Sequence, residues 1–178
     1  LGDGTTADKS TPVAVSMPAG PMGVKLPRLH ESTASGAPAR PFREGLSGGG
    51  SQTCAVISDG TARCWGLNDN VQVGDGTLID KPTPIAVSAL SGVVAITGGD
   101  RHSCALLNDG TAKCWGINTS GQVGDGTTNT RITPVFVSTL VGVLSGITSI
   151  SAGYYTSCAL IQDGTVKCWG SNNKGQVG

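Results

Sequence analysis

The sequence predicts an all-β repeat protein of the propeller or solenoid kind, and three observations lead there. The stretch CALLNDGTAKCWGINTSGQVGDG, Cys104 to Gly126, is nearly copied from Cys54 as CAVISDGTARCWGLNDNVQVGDG and from Cys158 as CALIQDGTVKCWGSNNKGQVG. The copies recur at a period of 50 to 54 residues (Cys54 to Cys104, then Cys104 to Cys158), as supersecondary units stacked in a row do. Glycine supplies 28 of the 178 residues and only 13% are charged, which suits tight turns between short buried strands better than charged, exposed helices.

One domain, residues 1–178, is expected, with repeat units at about 1–72, 73–122 and 123–178. Leu1 to Ser16 (LGDGTTADKSTPVAVS) matches Val73 to Ser88 and Val123 to Ser138, so each unit holds G-D-G-T, a polar loop, T-P and a short alternating strand. Asp-Gly supplies a turn, and Pro at a strand start removes no needed ladder donor. Between Met17 and Leu46 the pattern breaks. That segment carries five of the nine prolines and no period of 2 or 3.6, so it reads as a long loop or disordered insert. A binding loop built on Arg28, His30, Arg40 and Arg43 is the functional alternative.

Each repeat core then runs strand, turn, strand. The turns Ser58-Asp59-Gly60, Asn108-Asp109-Gly110 and Gln162-Asp163-Gly164 predict three-residue hairpin loops with the glycine in the left-handed region. That choice fixes the register. Cys54 then faces Cys64, Cys104 faces Cys114 and Cys158 faces Cys168, with Val56 and Ala62, Leu106 and Ala112, Leu160 and Val166 on the same face. The other face carries Trp65, Trp115 and Trp169, each beside an Arg63, Lys113 or Lys167 whose stem is expected to lie along the ring. Both faces are largely apolar, as strands between neighbouring sheets require. Asn68, Asn118 and Asn172 follow in loops, where a side-chain amide can bond nearby backbone.

Several functions are excluded or disfavoured. Twelve Lys and Arg balance twelve Asp and Glu, so no long-range field draws nucleic acid or an anionic membrane. No run of 18 apolar residues spans a bilayer, and no basic-then-apolar leader opens the chain. The cysteines lack the C-x-x-C spacing of zinc sites. Asp3, Asp75 and Asp125 in G-D-G-T give one carboxylate per motif, too few for calcium, so a turn is expected instead. His102 is replaced by Gln52 and Thr156 in the other copies, which argues against catalysis. No cofactor or metal is expected.

The recurring G-G-x-x-H-S-C-A-L, D-G-T-x-x-C-W-G-x-N and G-Q-V-G-D-G-T resemble the regulator of chromosome condensation repeat, in the cysteine-bearing form of many bacterial surface and secreted proteins. The likeness covers the chain except Met17 to Leu46. It implies a β-propeller, usually of seven blades with four antiparallel strands each, here present as three units of a partial propeller or of a six- or seven-bladed ring. Uses known in the family include nucleotide exchange on the small GTPase Ran, ultraviolet perception in plants and inhibition of a β-lactamase, and fold alone does not choose among them.

The expectation is a non-enzymatic module that binds a protein partner through blade loops. Guanine-nucleotide exchange or regulation of a small GTPase is the alternative, and a structural spacer in a large surface protein is a third. Six cysteines allow 15 pairings, of which Cys54–Cys64, Cys104–Cys114 and Cys158–Cys168 place all three pairs at one hairpin position. Disulfides imply an oxidising compartment, extracellular or cell-surface. The loops between G-D-G-T and T-P vary most among copies, so Asp8, Lys9, Asp80, Lys81 and Arg131 are the candidate partner contacts. Finally, Gly175 to Gly178 would continue in phase into Leu1 to Thr5 of another copy, so the chain is expected either to be part of a longer propeller or to associate head to tail with a second copy.

Overall fold

A computed structural model of the chain describes residues 45–177. The first sixteen residues, with Asp8 and Lys9, and all but the last two of the Met17–Leu46 segment lie outside the described residues.

Hairpins are the unit from which the fold is built. In the first, Ile57 N–H donates to Thr61 O and Gly60 N–H to Ile57 O, while Asp59 Oδ1 accepts from Thr61 N–H and Oγ–H. The last residue of each loop is left-handed, with φ of 81° at Gly60, 79° at Gly110 and 86° at Gly164, where a Cβ would be strained. The expected register follows. Cys54 pairs with Cys64, Cys104 with Cys114 and Cys158 with Cys168.

Around these hairpins stand three antiparallel sheets. The first contains β1 (Leu46–Gly48), β2 (Gln52–Val56), β3 (Ala62–Gly66) and β4 (Lys81–Ala86) in that order. The second repeats it as β5 (Val93–Gly98), β6 (His102–Leu107), β7 (Ala112–Gly116) and β8 (Arg131–Phe136). A small hairpin of β9 (Ser138–Thr139) and β10 (Gly142–Val143) follows, and the third sheet holds β11 (Ile147–Ala152), β12 (Thr156–Ile161) and β13 (Val166–Gly170). Among the described residues the chain is all-β, a partial propeller of three blades.

The first strands of the blades touch one another, β1 against β5 and β5 against β11, which makes them the inner strands. β4 and β8 are the outer ones. Pro82, Pro84 and Pro134 therefore sit on edge strands, where a missing N–H is tolerated. Since strands alternate in direction, the β1–β2, β5–β6 and β11–β12 loops share one rim with the long loops after β3 and β7. The hairpin turns and the β9–β10 hairpin occupy the other.

Two seams hold the core. Between the first and second blades Val56, Ala62, Val73, Val87, Leu90, Val93, Ile96 and Trp115 are buried together. Leu106, Ala112, Val123, Val137, Leu144, Ile147, Ile150 and Ile161 fill the second seam, with Trp169 packed against them. Each seam is also hydrogen-bonded in the same way. Gln72 O accepts from Trp115 Nε1–H at 2.9 Å and Ser103 Oγ–H at 2.8 Å, and Gln122 O accepts from Trp169 Nε1–H and Ser157 Oγ–H, both at 2.9 Å. The indoles thus join one blade to the Q-V-G of the one before. Glycine at 74 and 124 lets them in, because a Cβ there would lie 2.4 and 2.5 Å from the Trp115 and Trp169 Nε1.

The basic residue next to the tryptophan behaves differently from expectation in the second blade. Lys113 Nζ stands 4.7 Å from the centre of the Phe136 ring and donates to Ala89 O. With Trp115 fully buried, the ammonium gains more from an aromatic face on the half-exposed outer strand, where it keeps its water.

Candidate partner-binding face

The sequence placed its candidate contacts in the loops after G-D-G-T, and the structure shows how those loops are tied. Asn68 is fully buried at the loop root. Its Nδ2 donates to Asp75 Oδ1, Thr77 O and Ile79 O, while its Oδ1 accepts from Val73 N–H. Asn118 repeats this with Asp125, Thr127 and Val123. Asp75 and Asp125 each accept from the threonine N–H and Oγ–H two residues on. The G-D-G-T segments are therefore closed turns, as the sequence suggested.

The loop charges are turned to the same end. Lys81 Nζ lies 2.9 Å from Asp75 Oδ2, Arg131 Nε pairs with Asp125 Oδ2 and its Nη2 donates to Thr127 Oγ1. Asp80 Oδ1 accepts from the buried root, Asn68 N–H, at 2.7 Å. Burial opposes ionisation of Asp75, yet the bonds from Lys81, Thr77 and Asn68 outweigh it and hold its pKa below the ordinary 3.8. At Asp125, too, burial is outweighed, by Thr127 and Arg131. Beside the exposed polar residues Asp80, Thr128, Asn129 and Thr130, these segments show apolar side chains to solvent: Leu78 and Ile79 are 65% and 69% exposed, and Ile132, at the start of β8, 54%. The two loops adjoin, since a Cβ at Gly76 would lie 3.8 Å from Thr133 Cγ2. These three lie within the variable segments Leu78 to Pro82 and Thr128 to Ile132 from which sequence reasoning singled out the charged residues. A signal for the pairing of those charges was present, because Asp75 and Lys81 stand at the same spacing as Asp125 and Arg131.

The same rim carries a cleft of about 200 Å³ lined by Gly48–Gly50, Gly98–Asp100 and Ala152–Tyr154. Tyr154 meets Tyr155 edge to face, and Asp100 pairs with Arg101. The negative charge of Asp100 raises the Tyr154 phenol above its ordinary pKa. At the other rim, Leu140 and Val141 at the β9–β10 tip are fully exposed.

The six cysteines are joined as Cys54–Cys64, Cys104–Cys114 and Cys158–Cys168, which is compatible with an oxidising compartment. No group of His, Cys, Asp and Glu that could hold a metal ion occurs among the described residues. No described helix is long and apolar enough to cross a membrane.

Comparison with known proteins agrees with this architecture. A family model described as Regulator of chromosome condensation (RCC1) repeat matches residues 59–106 and 109–160, and a second of the same description matches 93–122 and 147–176. Yeast RCC1 (Prp20), solved bound to Kap60, is 24% identical over 74% of this chain and 32% of its own, with a TM-score of 0.60. Prp20p from Saccharomyces cerevisiae, studied for its binding to Gsp1p and histones, is 24% identical over 74% of this chain and 33% of its own, with a TM-score of 0.61. Human WBSCR16 is 21% identical over 70% and 32%, with a TM-score of 0.63. These likenesses show the fold, and this chain spans about a third of each of those proteins. No curated protein matches the sequence.

Proposed function

Because the chain belongs to the Regulator of chromosome condensation (RCC1) repeat family, we propose that it is a non-enzymatic protein-interaction module of a secreted or cell-surface protein, holding its partner through the loops after β3 and β7. One observation carries the reading. Loops that are knotted at Asn68 and Asn118, with Asp75 and Asp125 paired to Lys81 and Arg131, present Leu78, Ile79 and Ile132 to solvent. Apolar side chains on pre-organised loops lose little conformational freedom on binding, which is how interface anchors act. Asp80, Lys81 and Arg131 then serve as supports of the contact loops.

Regulation of a small GTPase is the alternative, drawn from the family's exchange factors. The three disulfides favour the extracellular reading, since such bonds are rare in the cytosol and nucleus. The test is recovery of partners from the native host by the wild-type chain and by a Leu78→Ser/Ile79→Ser/Ile132→Ser variant with an unchanged melting temperature. Loss of one partner from the variant, at both low and high salt, is expected. Equal recovery by both proteins would overturn the loop assignment, and recovery of a small GTPase would establish the alternative.

A further inference from the structure

His102 stands at the seam between the second and third blades, fully buried. Its Nε2 is 2.9 Å from Ser157 Oγ on β12. The serine hydroxyl has one proton and directs it to Gln122 O, also at 2.9 Å; the nearby Cys104 sulfur is in a disulfide and has none to give. The imidazole must therefore carry its own proton on Nε2 and donate it to Ser157 Oγ. Nδ1 is left as a bare lone pair with no hydrogen-bond partner among the described residues. It faces Gly99, where a Cβ would lie 2.6 Å from it and 2.4 Å from Gly153 O; that carbonyl, itself only an acceptor, gives the bare lone pair nothing.

We infer that His102 is an acid-sensitive latch, which closes this seam when neutral and opens it when a second proton is forced onto Nδ1. That proton would create a buried cation with no hydrogen bond to Nδ1 in place and no carboxylate beside it, a situation a protein escapes by letting water in. The charged groups on the surrounding elements do not offset it. Asp100 and Arg101, in the loop before His102, pair with each other, Asp125 pairs with Arg131, Lys113 on β7 is held at Ala89 and Phe136, and Lys167 on β13 is exposed. β2, β5, β11 and β12 contribute no charged side chain. The other seam lacks the device, because Gln52 stands at the matching position and bonds Gly99 O and His102 O through its amide, which does not titrate.

The direction of the effect follows from burial, which lowers the His102 pKa from 6.5 to about 4. An unfolded chain binds this proton at higher pH than the folded one, so stability falls as pH drops from 6.5 towards 4. By that linkage the folding equilibrium should weaken about 20-fold more in wild type than in His102→Gln between pH 7 and pH 5. The glutamine variant is the control because its amide can bond Gly153 O and Thr156 O as Gln52 bonds their counterparts. Denaturation of both proteins at the two pH values supplies the comparison, and His30 and the carboxylates cancel in it. Hydrogen exchange at pH 5 should show early loss of protection in 147–161, with 52–66 still protected. Should the variant not fold, ¹⁵N NMR of the wild-type imidazole gives the proton position and the titration directly. A His102 titrating at or above 6.5, an Nδ1–H tautomer, or an identical pH response in His102→Gln would each overturn the inference.

Discussion

Trp115 and Ser103 donate to one carbonyl, and that sharing makes a quantitative test possible. Truncating the fully buried indole in Trp115→Ala should destabilise by about 3 to 5 kcal/mol, as for other large core residues. Trp115→Phe keeps most of the ring and removes only the donor to Gln72 O. That carbonyl still accepts from Ser103 Oγ–H, so the variant should lose about 1 kcal/mol. Ser103→Ala should lose as little for the mirror-image reason. With both changes the carbonyl is buried with neither donor, and a buried unsatisfied group carries a penalty of about 1 to 3 kcal/mol. The double variant should therefore exceed the sum of the singles by about 1 kcal/mol, well outside the few tenths that independent sites show. Urea unfolding followed by far-ultraviolet circular dichroism measures all four proteins without relying on tryptophan emission. Additive singles, or a Trp115→Ala as stable as the parent, would refute the seam account.

Three further outcomes are expected. Gln122 Nε2 has no partner among the described residues, whereas Gln72 and Gln176 reach Asp69 and Asn173 at the position that Thr119 occupies; Thr119→Asn should add about 1 kcal/mol in the same urea titration. Gly124→Ala and Gly126→Ala both place a side chain at φ near 80°, worth about 1 to 2 kcal/mol, but only the first pushes a Cβ onto Trp169, so it should be the more destabilised by thermal melting. Replacing Cys104 and Cys114 by serine opens a loop of ten residues' separation and should lose about 2.5 to 3 kcal/mol by the chain-entropy relation, checked by denaturation after non-reducing peptide mapping of the remaining pairs.

Local chemistry made much of this fold legible. A D-G turn sets φ at one residue and hence the partner of every residue in the hairpin, so the facing cysteines could be read from a count of positions. The extra four residues between Cys104 and Cys158 relative to Cys54 and Cys104 mark where the β9–β10 hairpin was inserted, although its exposed Leu140 and Val141 carry no signal of their own. What stayed hidden acts across a seam. A tryptophan donor was evident, but its acceptor is a main-chain oxygen of Gln72, and every residue has one. For the loops, variation between copies was taken as a mark of free surface. Lys81 and Arg131 differ in chemistry while both pair with the G-D-G-T aspartate, and the apolar Leu78, Ile79 and Ile132 are exposed beside them.

The seams show why such a repeat can diverge in sequence without losing its stacking. Most of the side-chain bonds that join neighbouring blades end on backbone carbonyls, of Gln72 and Gln122 for the indoles and serines and of Gly99 and His102 for Gln52; His102, which donates to Ser157 Oγ, is an exception. A carbonyl is supplied by any residue, so at those bonds the accepting side is free to change while the donors and the close-approach glycines are held. At the equivalent position in the two blades even the donor has changed, from Gln52 to His102, because an amide and an imidazole both deliver an N–H into the next blade. The choice is neutral for packing. It is not neutral for charge, since one of them alone can take up a second proton, and that is where two seams of the same architecture come to differ in their response to acid.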